Sequence, residues 1–237
     1  MIAALPCCPI PHLQEPQFVK ALFGSIATRY DLANHLLSGG MDYLWRRRAA
    51  RIVQSWKHAR ILDLATGSGD LALTLAKHCP QSEITGADFC LPMLLQAKAK
   101  GLSRLVVADG MRLPFPDETF DVITVAFGLR NMESWPGALR EMSRVLKADG
   151  HLLILDFSIP ENAFLRPAYR AYLHHILPRI AGLLTREKSA YDYLADSIEK
   201  FPRGAAMTSL MDANGYREST CEPLSCGIVS LYTGRRR

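Results

Sequence analysis

Residues 60–70 read Arg60-Ile61-Leu62-Asp63-Leu64-Ala65-Thr66-Gly67-Ser68-Gly69-Asp70, an apolar strand that breaks at a glycine turn and opens a helix. Glycines there let the backbone turn tightly and approach a ligand closely at the carboxyl edge of a sheet, the alternative being a tight strand–helix turn without a ligand. The rhythm continues outward from it. A helix runs to Cys79, a strand over Glu83–Asp88, a helix over 91–100 and a strand over 104–108. Asp121–Phe127 is almost wholly apolar, as a strand buried on both faces must be. Ser134 caps a helix to Lys147, and Asp149-Gly150 turns into a strand over His151–Ser158. This cadence predicts an α/β fold with a doubly wound, mostly parallel seven-stranded sheet, Rossmann-like in architecture.

The flanks depart from that rhythm. Residues 1–17 hold four prolines and no periodicity, so they are expected to form an irregular arm. Helices over 18–37 and about 41–57 make a helical cap, residues 18–58. In the second of them Trp45, Ala49, Ile52, Val53 and Trp56 share a face, with Arg46, Arg47 and Arg51 off it. The ligand-binding domain is assigned to 59–237. After Pro160 it carries a helical insertion, about 160–202, built from segments 162–184 and 190–201. A third helix over 204–214 precedes a terminal strand pair, 216–222 and 226–234.

Composition narrows the class. The chain has 237 residues, 49% hydrophobic and 22% charged, ordinary globular usage and enough length for a sizeable core. Lys and Arg number 28 against 23 Asp and Glu, a net charge of +5. Arg46–Arg48 and Arg235–Arg237 account for the excess, since without them the balance is 22 against 23. No nucleic-acid partner is therefore expected from charge. Cysteines 7, 8, 79, 90, 221 and 226 form no CxxC pair, which predicts reduced thiols, no metal site and a cytoplasmic protein. The start lacks a basic segment and a long apolar run, so no signal peptide is expected, nor any membrane span.

The acids around the glycine loop choose between ligands. Asp88 ends the second strand 19 residues after Gly69, where a carboxylate can accept from both hydroxyls of a ribose. NAD and S-adenosylmethionine would both use it, and a plain cap for the helix after it is the alternative. Asp63 and Asp70 would repel a pyrophosphate but suit the cationic amino group of an amino acid. Asp109 and Gly110 end the third strand, near where an adenine amino group would lie. A cationic sulfonium ligand, S-adenosylmethionine, satisfies these acids better than NAD does.

Asp63–Asp70, Asp88, Asp109 and Leu113–Asp121 resemble the class I S-adenosylmethionine-dependent methyltransferases. The narrower resemblance is to the menaquinone/ubiquinone biosynthesis C-methyltransferase family. Its marks are Tyr30-Asp31-Leu32-Ala33-Asn34, Trp45-Arg46, Phe127-Gly128-Leu129-Arg130-Asn131, Asp156-Phe157-Ser158, Tyr191-Asp192-Tyr193-Leu194 and Gly227–Tyr232. The resemblance covers about 18–234. Two departures stand out, Thr66-Gly67-Ser68-Gly69 for the family's Gly-Gly-Thr-Gly and Asp156 for its frequent Glu. The resemblance implies that Gly67, Ser68 and Gly69 line the methionine and ribose, that Asp88 holds the ribose, Asp109 and Gly110 the adenine, and that Ala126 lies beside the cofactor. The implied reaction puts the methyl group on a ring carbon of a demethylated, prenylated quinol. Arg130 would stabilise the quinolate and Asn131 orient a hydroxyl or water. Tyr30 and Asp31 would close over the ring, Asp31 taking the proton through water.

Alternatives from other classes stay open at this point: methylation of another small molecule or RNA, an NAD-dependent oxidoreductase, and a non-catalytic binding module. Leu165, Tyr169, Tyr172, Leu173, Ile176 and Ile180 recur at helical spacing, and no acid stands between Glu161 and Glu187 while four arginines do. That composition suits transient contact with an anionic membrane surface, and equally an ordinary packing helix with solvated arginines. A homodimer, the choice of ring and the tail length are not written in the sequence.

Overall fold

The computed structural model describes residues 38, 40–177, 179 and 188–237. In chain order the elements are α1 (Met41–Trp56), β1 (Arg60–Leu64), α2 (Asp70–His78), β2 (Glu83–Asp88), α3 (Leu91–Ala99), β3 (Leu105–Val107), β4 (Phe120–Ala126), α4 (Trp135–Val145) and β5 (Leu146–Phe157). There follow α5 (Leu165–Ala171), which runs into a π-helical turn at Tyr172–Ile176, then α6 (Lys188–Lys200), α7 (Ala205–Ala213), β6 (Tyr216–Leu224) and β7 (Val229–Arg236). The seven strands lie in the order β3-β2-β1-β4-β5-β7-β6. β1 pairs in parallel with both β2 and β4, so the winding reverses between β1 and β4, while β7 lies antiparallel between β5 and β6. The expected doubly wound sheet is present.

Alternation along each central strand sorts the core onto two faces. Leu62, Leu64, Ile123, Val125, Leu152 and Ile154 join Leu139 and Met142 of α4 and Met207 and Met211 of α7. Their neighbours Ile61, Val122, Leu153 and Leu155 point the other way, to Leu71 and Leu75 of α2 and to Trp45, Ala49 and Val53 of α1. A third cluster, Ile159, Leu173, Leu177, Tyr193 and Ile198, holds the insertion over the carboxyl edge of the sheet.

Three expectations change. The helix capped by Ser134, whose hydroxyl accepts from the Gly137 N–H at 3.1 Å, ends at Val145. Leu146 is already in β5, paired with Phe120, and the register shift between Phe120 and Val122 absorbs the Asp149-Gly150 turn. The last strand, expected to end at 234, runs on: Arg235 and Arg236 lie in β7, opposite His151, Arg217 and Tyr216. Asp149, Glu118 and Glu218 pair with those arginines, so the C-terminal charge is spent within the fold. The helix expected over 162–184 widens to a π-turn at Tyr172–Ile176; positions 178 and 180–187 are outside the described residues, Ile180 among them.

Candidate active site

The glycine loop leaves β1 at the switch point between β1 and β4. Its backbone turns through the left-handed region at Ala65, Gly67 and Gly69. Gly69 also meets a packing limit, since a Cβ there would stand 3.0 Å from the Ala97 Cβ of α3. Asp88, 6% exposed at the end of β2, ties this loop down. One carboxylate oxygen accepts from the Gly67 N–H and the other from the Cys90 N–H, both at 2.8 Å. The carboxylate thus joins the loop to the start of α3, and its lone pairs still leave room for a further donor. Burial pushes its carboxyl above the usual range.

Asp63 lies one layer deeper. Its two oxygens accept from the hydroxyls of Thr66 and Thr124, each at 2.6 Å. Burial pushes this carboxyl up to about 6, against those two hydroxyls and the charge of Arg46. Arg46 departs from the expected outward-facing basic side of its helix. Its guanidinium pairs with Asp42, reaches Asp70 at 3.5 Å and lies 6.0 Å from the centre of the Phe127 ring. Asp70 also takes Lys100 at 2.7 Å, and Lys100 bonds the Ser68 hydroxyl at 3.0 Å. Asp63, Asp70, Asp88 and Asp109 make the loop's surroundings rich in acceptors, a fit for a cationic, hydroxyl-bearing ligand and a poor one for a pyrophosphate.

A pH dependence follows from Asp63. A cation bound nearby favours the ionised carboxyl and lowers its pKa, so affinity for that cation must fall as pH drops through about 6. Each unit of pKa displaced is about tenfold in affinity. S-adenosylmethionine, titrated calorimetrically, is expected to bind about tenfold more weakly at pH 5 than at 7.5. The Asp63→Asn protein should lose this part of the dependence and keep only what Asp88 contributes. Without ligand the same raised value acts on folding: the unfolded chain gives up this proton first, so stability falls as pH rises from about 4 to 6.

Asp109 is exposed at the exit of β3, where its carboxylate accepts from the Met111 N–H at 2.9 Å and caps a tight turn. Gly110 faces Met132, whose sulfur would stand 3.0 Å from a Cβ at that position. Ala126 closes β4 and packs with the α1 and α2 side of the core. Beyond it Phe127 adopts a positive φ and a short turn carries Leu129–Asn131.

Arg130 sits at the end of that turn, 3% exposed, against a fully buried Asp156. Its guanidinium donates to the Asp156 carboxylate at 2.7 Å and to the Phe127 carbonyl at 2.6 Å, and lies 5.3 Å from the centre of the Phe157 ring. Asp156 accepts in addition from the Phe157 N–H at 2.9 Å. Its carboxyl is still held above the usual range, because burial outweighs the attraction of Arg130. Asn131 is fixed at both ends: its amide donates to the Phe127 carbonyl at 3.3 Å and its oxygen accepts from the Tyr193 hydroxyl at 3.0 Å. Tyr30 and Asp31 lie outside the described residues.

Sequence reasoning missed Thr66 and Thr124 as partners of Asp63, Arg46 as the cation beside the loop, and Tyr193 as the anchor of Asn131. It also left Asp156 without its partner. The signal for that pair is a lone acid closing the apolar run Leu152–Leu155. Ala126, the end of β4, pairs with Leu155, so Asp156 of β5 stands level with the turn that follows β4.

A family model described as the ubiE/COQ5 methyltransferase family matches residues 12–236. A demethylmenaquinone methyltransferase of Thermus thermophilus is 44% identical over 220 residues, 91% of this chain and 100% of that protein. A ubiquinone/menaquinone biosynthesis C-methyltransferase UbiE of Syntrophotalea carbinolica is 44% identical over 225 residues, 93% of this chain and 94% of that protein. Among solved structures, a SAM-dependent methyltransferase of Thermotoga maritima superposes with a TM-score of 0.67 at 18% identity, covering 92% of this chain and 99% of that one. At that identity the likeness speaks for the fold alone.

Proposed function

The chain belongs to the ubiE/COQ5 methyltransferase family, and from that premise we propose how its residues methylate the ring of a demethylated, prenylated quinol. The activity is S-adenosylmethionine-dependent C-methylation in quinone biosynthesis. The observation that carries the residue assignment is the buried Arg130–Asp156 pair, held at the carboxyl edge of the sheet beside the glycine loop.

When bound, S-adenosylmethionine supplies an already activated methyl group, so this chain has to align, dehydrate and polarise. Gly67, Ser68 and Gly69 form the floor for the methionine and ribose, with Asp63 beneath them and Ala126 beside. Asp88 receives the ribose hydroxyls on its remaining lone pairs, and Asp109 with Gly110 borders the adenine. Arg130 stays protonated and cannot act as a base. Clamped by Asp156 and the Phe127 carbonyl, it is a fixed positive charge that needs no reorganisation as the quinol hydroxyl gives up its proton. Asn131, locked between Tyr193 and Phe127, orients that hydroxyl. Tyr30 and Asp31 close over the ring, Asp31 receiving the proton through water. The test is incubation with methyl-labelled S-adenosylmethionine and a demethylated quinol extract, with mass analysis of the product. Label on a ring carbon supports the reading; label on oxygen, or none, sinks it.

A prenylated substrate resides in lipid, and the insertion offers a surface for it. Phe164 is 90% exposed at the start of α5, with Leu165 and Ile176 also outward. Among the described residues Arg166 bonds the Pro160 and Glu161 carbonyls and no carboxylate, whereas Arg170 and His174 share Glu199 of α6. No helix among the described residues is long and apolar enough to cross a membrane. Transient docking on an anionic bilayer through this tip is the reading these residues favour. Wild-type protein should float with phosphatidylglycerol vesicles more than with phosphatidylcholine ones. Phe164→Ser should weaken partitioning about tenfold, the loss of one large apolar side chain from the interface. Equal flotation on both vesicle types would refute docking.

A further inference from the structure

The inner face of α5 and its π-turn presents Tyr169, Tyr172, Leu173 and Leu177 to the third cluster, where they meet Phe89, Phe157 and Tyr193. The rings of Tyr169 and Tyr172 are 6.2 Å apart and within 19° of parallel, forming one aromatic wall. This cluster spans the sheet edge from the residue after Asp88 to Phe157, the ring on which the Arg130 guanidinium rests. The wall thus shares one cluster with Phe89, next to Asp88, and with Phe157, next to the buried ion pair.

The polar groups beside that cluster are already engaged. The Arg130 guanidinium is turned onto Asp156 and the Phe127 carbonyl, and Asn131 spends its amide on Phe127 and its oxygen on Tyr193. Tyr169 differs. It is half-buried, close enough to Arg130 to feel its charge, and among the described residues its hydroxyl has no hydrogen-bond partner. A half-buried hydroxyl that no described protein group engages is open to a polar atom of a ligand. Sites built around a ligand's polar atom carry such a group, and they reject ligands that leave it unmet. Burial pushes the phenol well above its ordinary pKa, the Arg130 charge only partly opposing, so the group is a neutral donor and not a base.

We propose that Tyr169 is a substrate-binding residue whose hydroxyl donates a hydrogen bond to a ring oxygen of the quinol, with the Tyr169–Tyr172 wall lying against the ring. The donation strengthens as that oxygen gains charge, which places Tyr169 opposite Arg130 in stabilising the quinolate. It also fixes which carbon of the ring faces the methyl donor, so Tyr169 selects the methylation position. This inference rests on the quinol-methylating reading above.

The experiment compares the full-length wild type with Tyr169→Phe, which keeps the ring and its stacking. The substrate is a short-prenyl demethylnaphthoquinol in detergent, kept reduced, with S-adenosylmethionine. Expected for Tyr169→Phe are a kcat/KM for the quinol about 10- to 100-fold lower, the loss of one hydrogen bond to a charged oxygen. The affinity for S-adenosylmethionine measured by calorimetry should be unchanged, and the Tm likewise, because this hydroxyl bonds no group of the described fold. A merely structural hydroxyl would instead lower Tm and leave the quinol parameters alone. If the wild type methylates the quinol and Tyr169→Phe matches it within twofold, this proposal falls alone. If the wild type methylates no quinol, the reading of the previous section falls and takes this one with it. Tyr169→Leu serves as the second variant: it removes the wall as well, and the proposal requires its kcat/KM to fall below that of Tyr169→Phe.

Discussion

The Arg130→Met protein is expected to melt about 6–20 °C below wild type and to methylate quinol about 10²- to 10³-fold more slowly. The two losses have different origins. Asp156 is fully buried, and Arg130 is the charge that compensates it at 2.7 Å. Removing one member of a buried pair leaves the other uncompensated, at about 3–5 kcal/mol. A chain of this length loses about 2–4 °C per kcal/mol. The pH response has a definite sign. Burial already holds the Asp156 carboxyl above its usual value, and loss of Arg130 raises it further. A group whose folded pKa lies above its unfolded one weighs against folding as pH rises through that interval, so the deficit of Arg130→Met must shrink on acidification. The double replacement Arg130→Met with Asp156→Leu removes both charges and should recover most or all of the lost Tm. It should not recover turnover. Thermal melts at pH 7.5 and 5, beside product formation, separate the two. Recovery of turnover in the double variant would show that the pair serves the fold and not the reaction.

What was legible in the sequence was local. The strand, glycine turn and helix at 60–70, the two-face apolar run of β4 and the Ser134 cap are written in neighbouring residues, and each formed within a residue or two of its expected bounds. What was not legible depends on register. Arg46 lies off the apolar side of α1 by helical spacing, which says nothing of what stands opposite; α1 packs on α2, so Asp70 does. The final arginines fall outside the last expected strand because charge in neighbouring residues carries no pairing information. They extend β7 because Asp149 and Glu218 wait across the sheet on β5 and β6. Asp156 meets Arg130 across 26 residues, for the same reason. Asp63 is the instructive case among the acids. Its position before the glycines suggested direct contact with a ligand's amino group, yet both its oxygens are engaged by threonine hydroxyls, one of them on β4. Its influence on a ligand is then chiefly electrostatic, the quantity the pH titration measures.

Asp88 carries the other large expected effect, and it is the residue at which two roles coincide. The Asp88→Ala protein should bind S-adenosylmethionine about 100-fold more weakly or worse, since two hydrogen bonds from ribose hydroxyls to a carboxylate are each worth about 1.5–3 kcal/mol. The same substitution strips an acceptor from the Gly67 and Cys90 N–H groups, so stability falls as well. A fall in affinity alone therefore does not distinguish a ligand-binding carboxylate from a helix cap that merely shapes the loop. A cycle with the ligand does. Wild type and Asp88→Ala are each titrated with S-adenosylhomocysteine and with its 2′-deoxy analogue. If Asp88 holds the ribose, wild type should prefer the hydroxylated ligand by about tenfold or more, and Asp88→Ala should lose most of that preference while its overall affinity drops. If Asp88 only caps α3 and pins Gly67, both ligands weaken together and the preference survives in the variant. The geometry favours the first outcome: the carboxylate takes the Gly67 and Cys90 N–H groups at 2.8 Å and feels that of Phe89, and its lone pairs still leave room for a further donor.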